Sequence, residues 1–462
     1  MAIILLTILI ISLIIIATES LNHINKAAIA MFGGVCCWLL YIAQGTLFIS
    51  NEHPIEFLTY ISSHPLSNVS IKNFISEHIF LQYVAQSANI VLFLLATTSI
   101  VEVLSNNGCF DFITEWLRTR NPRKLLWLLA AITFVISANL DNLSTIVLLL
   151  SIVHPLLQDK KVRQLYCAVI VLAANIGGSI TVIGDMTSLK LWNDGLITPT
   201  NYFLTLVAPA LTALVVILIL FHRSLPQRIQ LATTVLPYRG DDTILNRPQR
   251  LLILFVGIGG LWFIPTFHRI TLLPPFVGAL CVLGLLWVVN ELCNRQLLKS
   301  DIMVRRRLPL ALQYANIQNI LYYFGLILMF GALAETGILK SALSEFISYI
   351  DNIYLIGLIT TFISSLLGNV PALIGSSTLF YQTTVLTNTP ECFMPDGIFW
   401  PILSYTTAWG GSLLSTGTIA GFLLMRMEGV EFKWYFRHIT PKVFIGFACG
   451  FIILFSITYS IS

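Results

Sequence analysis

The chain has 462 residues, of which 56% are hydrophobic and 10% charged, whereas soluble domains carry about 25% charged residues. That balance excludes a soluble domain of any size. The net charge of +4 therefore bears on membrane topology and gives no reason to expect a nucleic-acid partner.

The chain opens on AIILLTILIISLIIIA (2–17) with no basic residue before it, which favours a helix over a cleaved signal peptide. A hydrocarbon core about 30 Å thick takes ~20 apolar residues per crossing helix. Crossing helices are expected near 2–17, 27–49, 79–104, 165–193, 200–222, 251–267, 273–291, 310–335, 398–425 and 441–460. A polar outer segment fills 50–78. FDFITEWL (110–117) and ILKSALSEFI (338–347) are amphipathic and suit the membrane surface. Glu102 stands near the inner end of its helix, as close to the interface as to any site. The eight cysteines lie mostly in apolar runs without disulfide or metal-ligand spacing, and are expected as small core residues.

Two apolar stretches, 125–154 and 353–386, are each broken by a polar tip. Each is too long for one span and too short for two, which predicts a re-entrant hairpin. The charges agree. RTRNPRK (118–124) precedes the first stretch and KKVR (160–163) follows it; a crossing would put one cluster outside, against the positive-inside rule. With hairpins, all 26 basic residues except Lys72, Lys190, Arg269 and Lys340 fall on the cytoplasmic side.

The two halves echo each other. ISANLDNLSTI (136–146) aligns with ISSLLGNVPAL (363–373), which sets Asn142 on Asn369 and Asp141 on Gly368. Downstream, ANIGGSITVIGDMTSL (174–189) aligns with AWGGSLLSTGTIAGF (408–422). There Gly177 and Gly178 fall on Gly410 and Gly411, Gly184 on Gly417, and Asp185 on Thr418. An odd number of crossings separates equivalent helices, so the halves have opposite orientation. The expected fold is an all-α polytopic membrane protein of inverted-topology repeats, with two re-entrant hairpins and two broken transmembrane helices. Residues 1–78 hold two helices and the outer segment, 79–222 the first repeat, 223–309 a cytoplasmic loop with two linking helices, and 310–462 the second repeat. Inverted repeats with interruptions in matching places mark secondary transporters, and unwound backbone deep in a membrane must line a cavity or be buried in protein. Glycines that merely let helices pack closely are the plainer alternative.

An ionised aspartate at the bilayer centre costs at least ~2.5–3.5 kcal/mol on insertion scales. Asp141 has Ser137, Asn139 and Asn142 beside it, and Asp185 has Thr181 and Thr187; Lys190 is the nearest base. Carboxylates, amides and hydroxyls make an oxygen-rich site for a hard cation, and a carboxylate also takes a proton. Helix capping is the plainer role for both aspartates. Asn142 and Asn369 suit tip geometry and ligation equally.

IVEVLSNNGCFDFITEW, TRNPRKLLW, ITFVISANLDNLSTIV, AANIGGSITVIGDMTS and GGSLLSTGTIAGFLLMRMEGVEFKWYF resemble the NhaD-type sodium/proton antiporters of the ion transporter superfamily, from about residue 80 onward. The resemblance implies a homodimer that exchanges Na⁺ or Li⁺ for H⁺, with Asp141 and Asp185 as the ion and proton carboxylates and Na⁺ as cargo. It implies no cofactor and no enzyme activity, in a bacterial-type inner membrane. HExxH and GxSxG motifs are absent from the sequence. Two places depart from the family. Gly368-Asn369-Val370-Pro371 stands where an Asp-Asn-Val-Pro tip is usual, and LSNNG (104–108) lacks an acidic residue. These departures leave an anion permease of the same superfamily, for carboxylates or arsenite-like anions, as the alternative. A transport-dead sensor or assembly subunit is the outsider.

Overall fold

The computed structural model describes residues 2–226, 229, 245–294, 317–341, 352–384 and 390–461, all helix, turn or coil. Seven of the described helices are long and apolar enough to cross a membrane. The protein is an integral, multi-pass membrane protein, and its helices bury one stripe against each other while the rest faces lipid. The span Ile317–Ala334 has 72% of its apolar window buried, against 22% for Arg247–Thr271. The first is thus a central post and the second a peripheral helix, with Phe255, Trp262 and Phe263 turned outward.

The N-terminal part consists of α1 (Ala2–Ala17), a short α2 (Glu19–Asn22) and α3 (Lys26–Ala43), which Asn25 caps by accepting from Ala27 N. The helix expected over 27–49 stops at Gln44, whose backbone leaves the helical region, and α4 (Gly45–Glu52) follows. The expected polar outer segment is itself helical: α5 (Pro54–Ser63) and α6 (Asn68–Phe74) occupy it. Ser67 caps α6 by accepting from Ser70 N. A π-helical segment, Ile75–Phe80, then joins α6 to α7 (Leu81–Asn106), so this element begins eleven residues ahead of the expected 79, at Asn68.

α8 (Asp111–Leu117) buries Ile113, Thr114 and Leu117 and exposes Trp116, the one-sided pattern expected of it. Residues 342–347 of the other expected surface helix lie outside the described residues.

The stretch around the first polar tip is a helical hairpin of α9 (Pro122–Asn139) and α10 (Asn142–Leu156). It is followed by α11 (Lys160–Gly178), a non-helical break, and α12 (Met186–Asn193). Tyr166 donates to Pro122 O (2.8 Å) and Ser137 to Ala174 O (2.7 Å), so α9 runs parallel to α11. Arg163 donates to Leu157 O (2.9 Å), which brings the end of α10 back to the start of α11. Both ends of the hairpin therefore lie at one level.

α13 (Pro199–His222), α14 (Arg247–Thr271), α15 (Pro275–Cys293) and α16 (Ile317–Ala334) lead to the second half. There α17 (Ile353–Leu367), α18 (Asn369–Thr384), α19 (Phe399–Leu413), a break, and α20 (Ile419–Glu428) follow one another. Ser364 donates to Thr407 O (2.6 Å), as Ser137 does to Ala174 O. α21 (Phe432–His438) and α22 (Thr440–Ile461) end the chain.

Of the eight cysteines, Cys37, Cys109 and Cys167 are buried, but Cys281 is exposed and the others are half-buried. The expectation of core residues holds for three of them; the rest sit on helix faces that turn away from the packed interior.

Candidate functional site

Each helix break depends on a glycine pair. A Cβ on Gly178 would come within 2.6 Å of Gly184 O, and one on Gly417 within 2.6 Å of Gly411 O. The chain folds back on itself at both places so closely that only glycine fits. Gly177 and Gly410 abut the backbone of the neighbouring hairpin arm, at Phe134 O and Thr361 O, with no room for a side chain. The breaks then hold the tips. Asn142 N donates to Gly184 O (3.2 Å), and Asn369 N donates to Gly417 O (3.1 Å).

Asp141 caps α10: its Oδ1 accepts from Ser144 N (2.6 Å) and its Oδ2 from Ser144 Oγ (2.7 Å). Asp185 precedes α12 and its Oδ2 accepts from Thr187 Oγ1 (3.0 Å) and Asn369 Nδ2 (3.5 Å). Thr418 caps α20 by accepting from Gly421 N. Both carboxylates are buried, at 8% and 4% exposure. They line one cavity together with Asn142, Asn369, Thr418, Asn319 and Tyr323. No Lys, Arg or His is among its described lining residues.

Asp141, Asp185, Asn142, Asn369 and Thr418 thus come together as the sequence suggested, although Asn142 is 227 residues from its counterpart in the other half. Thr187 joins through its bond to Asp185. Ser137 and Asn139 do not line the cavity. The Ser137 hydroxyl ties α9 to α11, and Asn139 Nδ2 donates back to Val135 O (2.6 Å). Lys190 pairs with Asp194, one turn further along α12, and not with Asp185. Glu102 is half-buried on α7 and stands apart from the cavity lining.

Three residues escaped the sequence reading. Asn319 and Tyr323, four apart on α16, put a polar stripe on the central post, and their spacing within an apolar helix was the available signal. Asn175 stands immediately before the isoleucine and glycine pair of its break. Its Nδ2 donates to Ser412 Oγ (3.2 Å) and Thr418 Oγ1 (3.5 Å), while its buried Oδ1 has no hydrogen-bond partner among the described residues.

Gly368 corrects a simple view of the second tip. It has φ +101° and ψ 157°, whereas Asp141 at the aligned position has φ −59° and ψ 149°. The two tips differ in backbone as well as in side chain, so Gly368 is more than an aspartate site that has lost its carboxylate.

A family profile described as "CitMHS: Citrate transporter" matches residues 11–299. Sodium/proton antiporter 2 of Arabidopsis thaliana is 32% identical over 440 residues, 95% of this chain and 95% of the relative. The Na(+)/H(+) antiporter NhaD of Vibrio cholerae is 26% identical over 407 residues, 82% of this chain and 79% of its own. The Na(+)/H(+) antiporter NhaD of Alkalimonas amylolytica is 25% identical over 466 residues, 95% of this chain and 87% of its own. The chain belongs to the CitMHS transporter family, as an ion transporter of the NhaD type.

Proposed function

We propose that the protein exchanges Na⁺ or Li⁺ for H⁺ across its membrane by alternating access, at a site formed by Asp141 and Asp185. The observation that carries this reading is the cavity itself: two buried carboxylates, the amides of Asn142 and Asn369, and the Thr418 hydroxyl, with no basic residue among the described lining. Such oxygens suit a hard cation. A buried carboxylate needs either a cation or a proton, so one group serves both ions in turn. Behind the Thr418 hydroxyl, which accepts from Asn175 Nδ2, the buried Asn175 Oδ1 has no hydrogen-bond partner among the described residues. The same two carboxylates oppose the anion alternative, because an anion entering there would meet like charge.

Alternating access in this reading is the rocking of one inverted repeat on the other, with α9–α10 and α17–α18 as re-entrant hairpins. Paired contacts support the repeat: Ser137 and Ser364 each bond to a parallel helix, and each tip amide bonds to the glycine carbonyl of its break. An opposed orientation is supported by α20, which runs antiparallel to α11. Thr418, at the start of α20, meets Asn175 near the end of α11. Glu428, at the far end, accepts from Arg163 Nε (2.7 Å) near the beginning of α11. The clusters of basic residues would then face the cytoplasm of a bacterial-type inner membrane. A homodimer is the assembly we carry over from the resemblance to NhaD-type antiporters.

The test is purified protein in proteoliposomes with an imposed pH gradient. Added Na⁺ or Li⁺ should dissipate the gradient, and K⁺ and small carboxylates should not. Dissipation by a carboxylate alone would replace this reading with the anion alternative.

A further inference from the structure

A second cavity backs onto the first. It is walled by Glu19 and Lys26 from the α2–α3 turn, by Tyr322 from α16, and by Gly368, Asn369 and Thr418 from the second tip and break. Asn369, Thr418 and Ile419 line both cavities. The same thin wall thus separates the carboxylate site from a space whose described lining contains two charged residues, Glu19 and Lys26.

Local sequence explains how those charges arrive there. α1 stops at Ala17, α2 lasts one turn, and His23 takes a left-handed φ of 57° that reverses the chain. Asn25 then starts α3 with Lys26 as its first residue. The reversal turns Glu19 and Lys26 to face each other, with Lys26 Nζ 3.9 Å from Glu19 Oε2 and 5.2 Å from the Tyr322 ring centroid. At 3.9 Å the pair is a charge contact and not a hydrogen bond. Side-chain exposures of 14% and 21% shelter it from full solvent screening.

We propose that Glu19 is a cation-accepting carboxylate in an antechamber to the ion site, with the Lys26 ammonium as its resident, displaceable counter-ion. This rests on the exchange reading above. An arriving cation takes the place of the ammonium beside Glu19 without breaking a hydrogen bond, then passes the Asn369–Thr418 wall toward Asp185. The second tip has Gly368 where it aligns with Asp141, so Glu19 is the carboxylate on this side of the wall. Lys26 lowers the residence time of the ion there: it competes with the cation for the same oxygens and keeps the antechamber from becoming a trap.

The proposal predicts effects of opposite sign, which a purely structural ion pair would not give. Removing one unit charge within about a Debye length of the ion path changes occupancy roughly three- to tenfold. In proteoliposomes, Glu19→Gln should raise the KM for Na⁺ by that factor, because Lys26 is left uncompensated. Lys26→Met should lower it, and the double variant should return most of the way to the wild-type KM. The shifts should shrink when choline chloride raises the ionic strength. Lys26→Gln, which keeps a polar end, serves if the methionine variant folds poorly. Single variants that move KM in the same direction, or leave it unmoved while the wild type exchanges Na⁺ for H⁺, would overturn the antechamber. A wild-type protein that exchanges no Na⁺ would instead remove the exchange reading on which it rests.

Discussion

Asn369 Nδ2 lies 3.5 Å from Asp185 Oδ2, although 184 residues separate the two. The second hairpin tip therefore touches the broken helix of the first half directly at a buried carboxylate. A bond at the outer limit of hydrogen-bonding distance is weak, which suits the alternating access proposed above.

Asn369→Ala removes that contact and one amide oxygen from the cavity wall while leaving the backbone amide to hold Gly417 O. The expected outcome is a KM for Na⁺ raised by roughly three- to thirtyfold, the worth of about 0.7–2 kcal/mol for a lost neutral ligand or hydrogen bond. Yield and thermal midpoint should stay near wild type. An unchanged KM would mean that the second tip contributes packing alone.

Asp141→Asn and Asp185→Asn separate capping from ion handling. Asparagine and aspartate are comparable N-caps, so Asp141→Asn should keep a bond to Ser144 N and cost less than ~1 kcal/mol of stability. It can neither neutralise a cation nor carry the proton. Gradient dissipation by Na⁺ should fall to background in both variants, measured beside circular dichroism and size-exclusion profiles. Normal exchange by a folded Asp141→Asn protein would reduce Asp141 to a cap.

The sequence carried much of this. Periodicity and hydropathy mark spans wherever lipid contacts one side of a helix, and polar residues inside apolar runs mark the tips because burial of such groups is costly. The helix breaks were legible because their glycine pairs are steric necessities, and steric necessities leave fixed residues at fixed spacing. Boundaries outside the membrane were not legible. The 50–78 region folds as helices because caps such as Ser67 and tertiary packing decide there, without a bilayer to enforce length. Asn139 and Ser137 look like ligands in a linear reading, yet a helix sends residues two apart to different faces, and of this tip Asp141, Asn142 and Leu143 reach the cavity. The spacing of Asn319 and Tyr323 marks a polar stripe, but tertiary packing alone brings them to Asp141 and Asp185, and Lys26 likewise reaches the second cavity from a distant helix.

Gly368→Ala tests the difference between the tips. With φ at +101° the position is open to glycine and strained for any L-residue. A Cβ there would also lie 3.3 Å from Gly417 O, the carbonyl that holds the tip through Asn369 N. The expected loss is about 1–3 kcal/mol, read as a lower thermal midpoint and yield. Gly368→Asp meets the same strain, so adding a carboxylate there would not by itself recreate the first tip. An alanine variant as stable as wild type would show that the backbone relaxes to a negative φ.

The last prediction concerns pH on the face opposite the antechamber. His53 joins the short helices α4 and α5, outside the membrane-spanning segments, and its Nε2 lies 2.7 Å from Glu335 Oε2 just past the end of α16. Its Nδ1 lies 3.1 Å from Glu56 Oε2, and Tyr83 donates to Glu335 Oε1 (2.7 Å). The hydrogen bond to Glu335 holds the His53 pKa above its ordinary 6.5, against an opposing contribution from burial. A pKa raised by folding means that protonated His53 stabilises the folded arrangement. That stabilisation is complete below the unfolded value of 6.5 and is lost as pH rises through the higher folded value. The docking of residues 45–63 onto the end of α16 should therefore loosen as pH rises above 6.5 and through the raised folded value. Hydrogen exchange of that segment, corrected for intrinsic rates, should accelerate over this range in the wild type and show no such step in His53→Gln. Equal pH dependence in both proteins would assign the change to another group.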